Sequence, residues 1–284
     1  GMLQAIDLFK QALAIDPEFA PAYAGLALTF TILPAYSATV TWEEGISLGR
    51  DYAVHALALD PTLPEAYASL ANSANISLQR GTAEALLRRA ITMRPSYATA
   101  HHWLGNTLQS LGDLEGSLTE LERATALDPR SPVIGDNNAF ALMAAGRTAE
   151  AKKRCEQVLE YAPMFTSCLQ YVGVVDLLDQ DWDGALAMLE RQVISLNSQA
   201  TQQPRELIDA LAERSDRHAL ALKLAALPLN SFLDKSSGNV FEDQIVLLLL
   251  MMLDEPALAL EYMERNAANF GSTMDWGIVM VQMD

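Results

Sequence analysis

Proline recurs at one phase through the middle of this 284-residue chain: Pro61, Pro95, Pro129 and Pro163 each stand 34 residues after the last. A fixed period of that length means repeated supersecondary units that stack, because one unit cannot bury both of its apolar faces alone. The clearest unit runs from 98 to 134. Its first helix carries Trp103, Leu104, Gly105 and Leu108. Leu111-Gly112-Asp113 makes a turn, the second helix carries Leu118, Leu121 and Ala124, and Asp128-Pro129 closes the unit. Small residues recur at the same phase, Ala71, Gly105, Ala139 and Gly173 on first helices and Ala56, Ala90 and Ala124 on second ones. Leu70, Leu87, Leu104, Leu121 and Leu189 fill the spaces between them. The predicted fold is all-α, a right-handed superhelical solenoid of stacked antiparallel helix pairs with a less regular helical C-terminal part. First helices are expected to line a concave groove and second helices the convex back.

Two domains follow from where the period holds. Residues 2–197 form the array, about five units, the first lacking its first helix. Residues 198–284 form an irregular helical extension packed on it. The first helix, Met2 to Ile15, has an apolar stripe of Leu3, Ile6, Phe9, Ala12 and Leu13. It begins mid-pattern, and Gly1 before Met2 reads as a tag scar, so a fragment of a longer protein is expected. Between Pro17 and Pro61 the spacing is 44 residues, and the excess falls in Pro34 to Thr41. Pro34 should stop one helix and Thr41 cap the next, Trp42 to Leu59. Such an insertion is either a binding loop or a neutral length variant. Thr82 and Thr148 are read as caps of later second helices and Gly146 as a helix stop. Beyond Asn197 the rhythm decays. Polar segments at 197–203 and 229–239 read as loops. Helices are expected at 204–213, 217–227, 241–253 and 255–269, followed by an apolar tail from Met274 to Met280.

Composition excludes several functions. There are 36 acidic and 19 basic residues, a net charge of −17, spread along the chain. Nucleic acid requires clustered Lys and Arg, so no nucleic-acid partner is expected. The longest apolar run, Ile245 to Leu253, is too short to span a bilayer. Cys155 and Cys168 fall at core positions and read as buried free thiols rather than a bridge. No phosphate loop, His-Glu-x-x-His or Cys-x-x-Cys pattern is present. No catalytic residue, metal site or cofactor is therefore assigned. His101 and His102 are adjacent on a helix and point about 100° apart, which disfavours a shared metal. His101 reads as a packing residue at an aromatic position and His102 as a groove residue.

The groove is the informative feature. Repeat phase places Glu65, Asn72 and Asn75 on one first-helix face, Thr99, His102, Asn106 and Gln109 on the next, then Asp136, then Gln170. Amides in this pattern can bind the backbone of an extended peptide, both donating and accepting. Simple solvent exposure is the alternative.

These spacings resemble the tetratricopeptide repeat family over Leu3 to Leu196. The runs Tyr97 to Trp103 and Leu121 to Ile134 look more narrowly like the C-terminal region of certain bacterial regulators. There the repeats follow a winged-helix DNA-binding domain, an adenylate cyclase or a Ser/Thr kinase. The resemblance implies a non-catalytic sensing or protein-binding module with its output domain upstream. It also implies a bacterial protein, cytoplasmic, or periplasmic where a membrane span precedes the module. Family members that clamp a C-terminal carboxylate use Lys or Arg in the groove. The matching positions here hold Ala24, Ala68, His102, Asp136 and Gln170, which argues against such a clamp. The leading expectation is a protein or peptide in the groove. The alternatives are a small-molecule sensor, with its pocket between the Pro34–Thr41 insertion and the groove, and a self-assembly module, a homodimer through its apolar ends.

Overall fold

The computed structural model describes residues 1–37, 39–195, 208–209, 212, 216–226, 250 and 255–270, and every assigned element among them is helical. The helices are α1 (Met2–Ile15), α2 (Ala20–Ile32), α3 (Trp42–Leu59), α4 (Pro64–Ile76), α5 (Arg80–Met93), α6 (Ala98–Ser110), α7 (Leu114–Leu127), α8 (Pro132–Ala144), α9 (Thr148–Tyr161), α10 (Thr166–Leu178) and α11 (Trp182–Ser195), with two more at Arg217–Ala225 and Pro256–Phe270. By contacts the chain divides into two units, Gly1–Ala141 and Leu142–Asp284. That division is a different property from the end of the regular repeats near residue 197. No described helix is long and apolar enough to cross a membrane.

In the first unit α2 packs on α1, α3 and α4, and α4 packs on α3, α5 and α6. Each first helix thus lies against its own second helix and against neighbouring repeats. The small residues make this approach close. Ala56, Ala71, Ala90, Ala124 and Ala139 are fully buried. At Gly105 a Cβ would stand 2.6 Å from Leu121 Cγ and 3.1 Å from the Ser117 carbonyl oxygen, so α6 and α7 cross where only a glycine fits without displacement. Leu87, Leu104 and Leu108 complete a core shared by α4, α5 and α6.

The turn between paired helices is one device used four times. Leu78, Gly112, Gly146 and Gln180 stand 34 residues apart, and all four have positive φ, between 59° and 85°. The next residue donates its N–H to the carbonyl five positions back: Gln79 to Ala74 at 2.8 Å, Asp113 to Leu108 at 2.9 Å, Arg147 to Leu142 at 2.8 Å and Asp181 to Asp176 at 2.8 Å. This is the hydrogen bond of a Schellman closure. It confirms Gly146 as a helix stop and corrects two assigned caps. The residue that closes one helix immediately becomes the N-cap of the next. α5 therefore starts at Arg80 behind Gln79, and α9 at Thr148 behind Arg147; neither Thr82 nor Thr148 is a cap. Asp113 and Asp181 occupy this position usefully, accepting from Gly116 N–H at 2.9 Å and Gly184 N–H at 3.0 Å.

The closing prolines share a second device. Tyr23 OH donates to the Pro17 carbonyl at 3.1 Å and Tyr67 OH to the Pro61 carbonyl at 3.2 Å. His101 takes the same place, its Nε2 lying 3.0 Å from the Pro95 carbonyl while Nδ1 lies 2.6 Å from Glu120. It is a buried packing residue at an aromatic position, as its phase requires.

At the insertion, Leu33–Ala35 forms one 3-10 turn after α2. Thr41 caps α3 as expected, within a capping box in which Thr41 Oγ1 accepts from Glu44 N–H and the Glu44 carboxylate accepts from Thr41 N–H.

In the second unit α10 packs on both α9 and α11. Cys155 and Cys168 are buried free thiols. Lys152 pairs with the buried carboxylate of Asp176. The two last described helices pack on each other, with His218 Nδ1 2.6 Å from Glu255. The Glu255 carboxylate raises the His218 pKa. Leu250 is helical and buried. The expected loops at 197–203 and 229–239, most of the helices expected at 204–213 and 241–253, and the tail at Met274 to Met280, with the homodimer contact assigned to it, lie outside the described residues.

Candidate functional site

The assigned groove residues of the first unit sit on α4, α6 and α8, consecutive first helices. Two cross-repeat contacts hold these helices in register. Asn75 Nδ2 on α4 donates to Thr107 Oγ1 on α6 at 2.8 Å, and the Thr107 hydroxyl in turn donates to the Trp103 carbonyl at 2.7 Å. His102 on α6 is side-chain hydrogen-bonded to Asn137 on α8. Asn106 Nδ2 also donates to His102 Nε2 at 3.3 Å. Thr107 and Asn137 were not singled out from the sequence. Nothing in a 34-residue period reveals which neighbouring side chains will meet.

Burial alters the chemistry of this face. His102 is only 7% exposed, and desolvation pulls its pKa down to about 4. It is therefore a neutral imidazole at pH 7, a hydrogen-bonding centre and not a cation. Asp136 is pushed the other way, up to about 7, by desolvation alone. No positive charge among the described residues offsets the cost of burying its carboxylate.

Hydrogen bonding on this face is incomplete. Asn75 Oδ1, Asn106 Oδ1, Gln109 Nε2 and Asp136 Oδ1 are buried and have no partner among the described residues. Buried polar atoms normally have one, and leaving one unpaired costs about 1–3 kcal/mol. Four such atoms fall on residues that repeat phase assigns to the groove.

The remaining assigned residues are placed less uniformly. Asn72 and Thr99 are half-buried on α4 and α6. Glu65 pairs with Arg94 at the end of α5, so it serves as a brace between helices. Gln170 is buried on α10, in the second unit. No group of three or more His, Cys, Asp and Glu among the described residues could hold a metal ion.

The same unit has an open cleft of about 200 Å³ between α3, α4 and the start of α5. Ile46, Leu70 and Leu86 form its apolar lining, and Arg50, Ser77 and Gln79 its polar lining. Small-molecule pockets usually enclose ~300–1,000 Å³. This cleft is smaller and unenclosed.

Comparison with known proteins agrees with this architecture. The model of the tetratricopeptide repeat matches residues 98–131, the unit that carries Thr99, His102, Asn106 and Gln109. No curated protein matches the chain. Among solved structures, TTC0263, a thermophilic TPR protein in Thermus thermophilus, is 22% identical over 60% of this chain and 88% of its own, with a TM-score of 0.50. Pseudomonas aeruginosa pilF is 14% identical over 93% of this chain and 96% of its own, with a TM-score of 0.56. A chain of the APC/C hetero-tetramer Cut9–Hcn1 is 12% identical over all of this chain and 46% of its own, with a TM-score of 0.62. At these identities the likeness is one of fold. Residues 98–131 are accordingly a tetratricopeptide repeat, set among helix pairs of the same stacked architecture.

Proposed function

We propose that the first-helix face of α4, α6 and α8 binds an extended peptide or protein segment, and that the chain is a non-catalytic binding module of a bacterial regulatory protein. One observation carries the reading: buried amide atoms of both kinds, the acceptors Asn75 Oδ1 and Asn106 Oδ1 and the donor Gln109 Nε2, lie unpaired on that face. An extended backbone offers a donor and an acceptor at every residue, which is what such a set lacks. The small, open cleft beside α3 gives less support to a small-molecule sensor.

The test is the double variant Asn72→Ala with Asn106→Ala, used beside the parent as bait in a bacterial lysate. Loss of retained partner by tenfold or more, with a melting temperature close to the parent's, is the expected result. Asn106→Ala removes an unpaired buried acceptor but also the donor to His102 Nε2, two effects of opposite sign, so no large destabilisation is expected. Equal retention by both proteins would remove the groove from consideration.

A further inference from the structure

The face has more unpaired acceptors than donors. Asn75 Oδ1, Asn106 Oδ1 and Asp136 Oδ1 accept only, and Gln109 Nε2 alone donates. An extended backbone can meet the amide atoms, but it brings no positive charge to a carboxylate. The most demanding member is Asp136. Its carboxylate is largely buried, one oxygen has no partner, and no cation among the described residues offsets it. Three cations on the same unit are committed elsewhere: Arg94 to Glu65, Arg88 to Glu84, and Arg89 over the Tyr67 ring. Asp136 stands one repeat after His102, at the same phase. The neutral His102 is already engaged by Asn106 and Asn137 and contributes no positive charge.

We infer that the segment bound on this face is basic, and that it places a lysine or arginine side chain on Asp136 while its backbone meets Asn75, Asn106 and Gln109. This deepens the peptide-binding reading and rests on it. The chemistry is a charge-assisted hydrogen bond from an ammonium or guanidinium to a carboxylate already partly withdrawn from water. An ionised carboxylate in such surroundings gains more from a cationic partner than one on an open surface, because the desolvation is already spent in the free protein. The net charge of −17 draws a basic segment in at long range and repels acidic ones. The inference makes this face the electrostatic opposite of a carboxylate clamp, in keeping with the lack of Lys and Arg at Ala68, His102 and Asp136.

The probe is an array of random decapeptides with both termini blocked, so that only side chains bring charge, read at about pH 8, where Asp136 is ionised. The parent is compared with Asp136→Asn and with the Asn72→Ala, Asn106→Ala pair. Asparagine keeps the shape and removes a buried charge, so Asp136→Asn should fold; circular dichroism checks it. The expected result is retained peptides enriched in Lys and Arg, with affinity for them lowered tenfold or more by Asp136→Asn and general binding lost in the double variant. If retained peptides show no basic enrichment yet depend on Asn72 and Asn106, the peptide-binding reading stands and this inference falls. If basic enrichment persists in Asp136→Asn, the cation sits elsewhere and the inference also falls. If the parent retains no peptide, both readings fall together.

Discussion

At the scale of single residues, the face around α6 is governed by burial rather than by residue type. A histidine and an aspartate at the same repeat phase are both forced toward their neutral forms, His102 to a pKa of about 4 and Asp136 to about 7. The consequence for stability is measurable. Below about pH 4 Asp136 is protonated in both folded and unfolded chains and costs nothing. Between about pH 4 and about 7 the unfolded chain gives up this proton and the folded chain keeps it, so stability falls as pH rises through that window. Asp136→Asn removes this dependence. It should be more stable than the parent by ~2–4 kcal/mol at about pH 8, with the gap closing near pH 4. Urea denaturation of both proteins across that range checks this, and the difference cancels the opposite contribution of His102. A gap that is constant with pH would mean that Asp136 is ionised in the free protein throughout.

At the scale of elements, the turn joining paired helices is the most regular part of the molecule and also the most unevenly served by its residues. Gly112 and Gly146 meet the left-handed backbone without strain, whereas Leu78 and Gln180 hold it at φ 59° with a side chain present. A left-handed conformation costs an ordinary L-residue ~1–2 kcal/mol. Leu78 is 73% exposed, so its side chain offers little packing in return. Leu78→Gly should stabilise the first unit by about 1 kcal/mol, seen as a raised denaturation midpoint with an unchanged slope. No gain would mean that the closure around Gln79 and Ala74 relaxes to relieve the strain. The sequence showed the period and the two glycine turns, at Gly112 and Gly146. It hid the other two turns, because a leucine and a glutamine give no local signal for a positive φ. The same closure decides which residue caps the following helix, which is why Thr82 and Thr148 read well as caps and are not.

At the scale of the whole molecule, stability comes from interfaces between neighbours rather than from one central core. The cluster that joins α4, α5 and α6 through Ala71, Leu87, Ala90 and Leu104 is one such interface. Leu104→Ala should cost ~2–5 kcal/mol, as other buried leucine truncations do. Hydrogen exchange should accelerate most in α4 to α7, which share that cluster or flank it. Equal acceleration in α1 would show that the first unit opens as a single cooperative block.

The sequence by itself determined the period, the helix pairs, the small residues at the crossings and the face on which the amides lie. All of these follow from local spacing, since 3.6 residues per turn and a 34-residue repeat fix which positions face a neighbour. Only the tertiary structure decided what each residue on that face does. It drew Glu65 to Arg94, tied Asn75 to Thr107 and His102 to Asn137, and left Asp136 half-buried with one covered, unanswered oxygen. Those outcomes depend on the offset between stacked repeats, on side chains some 29 to 35 residues apart meeting or missing by an ångström or two, and repeat phase carries no information at that precision.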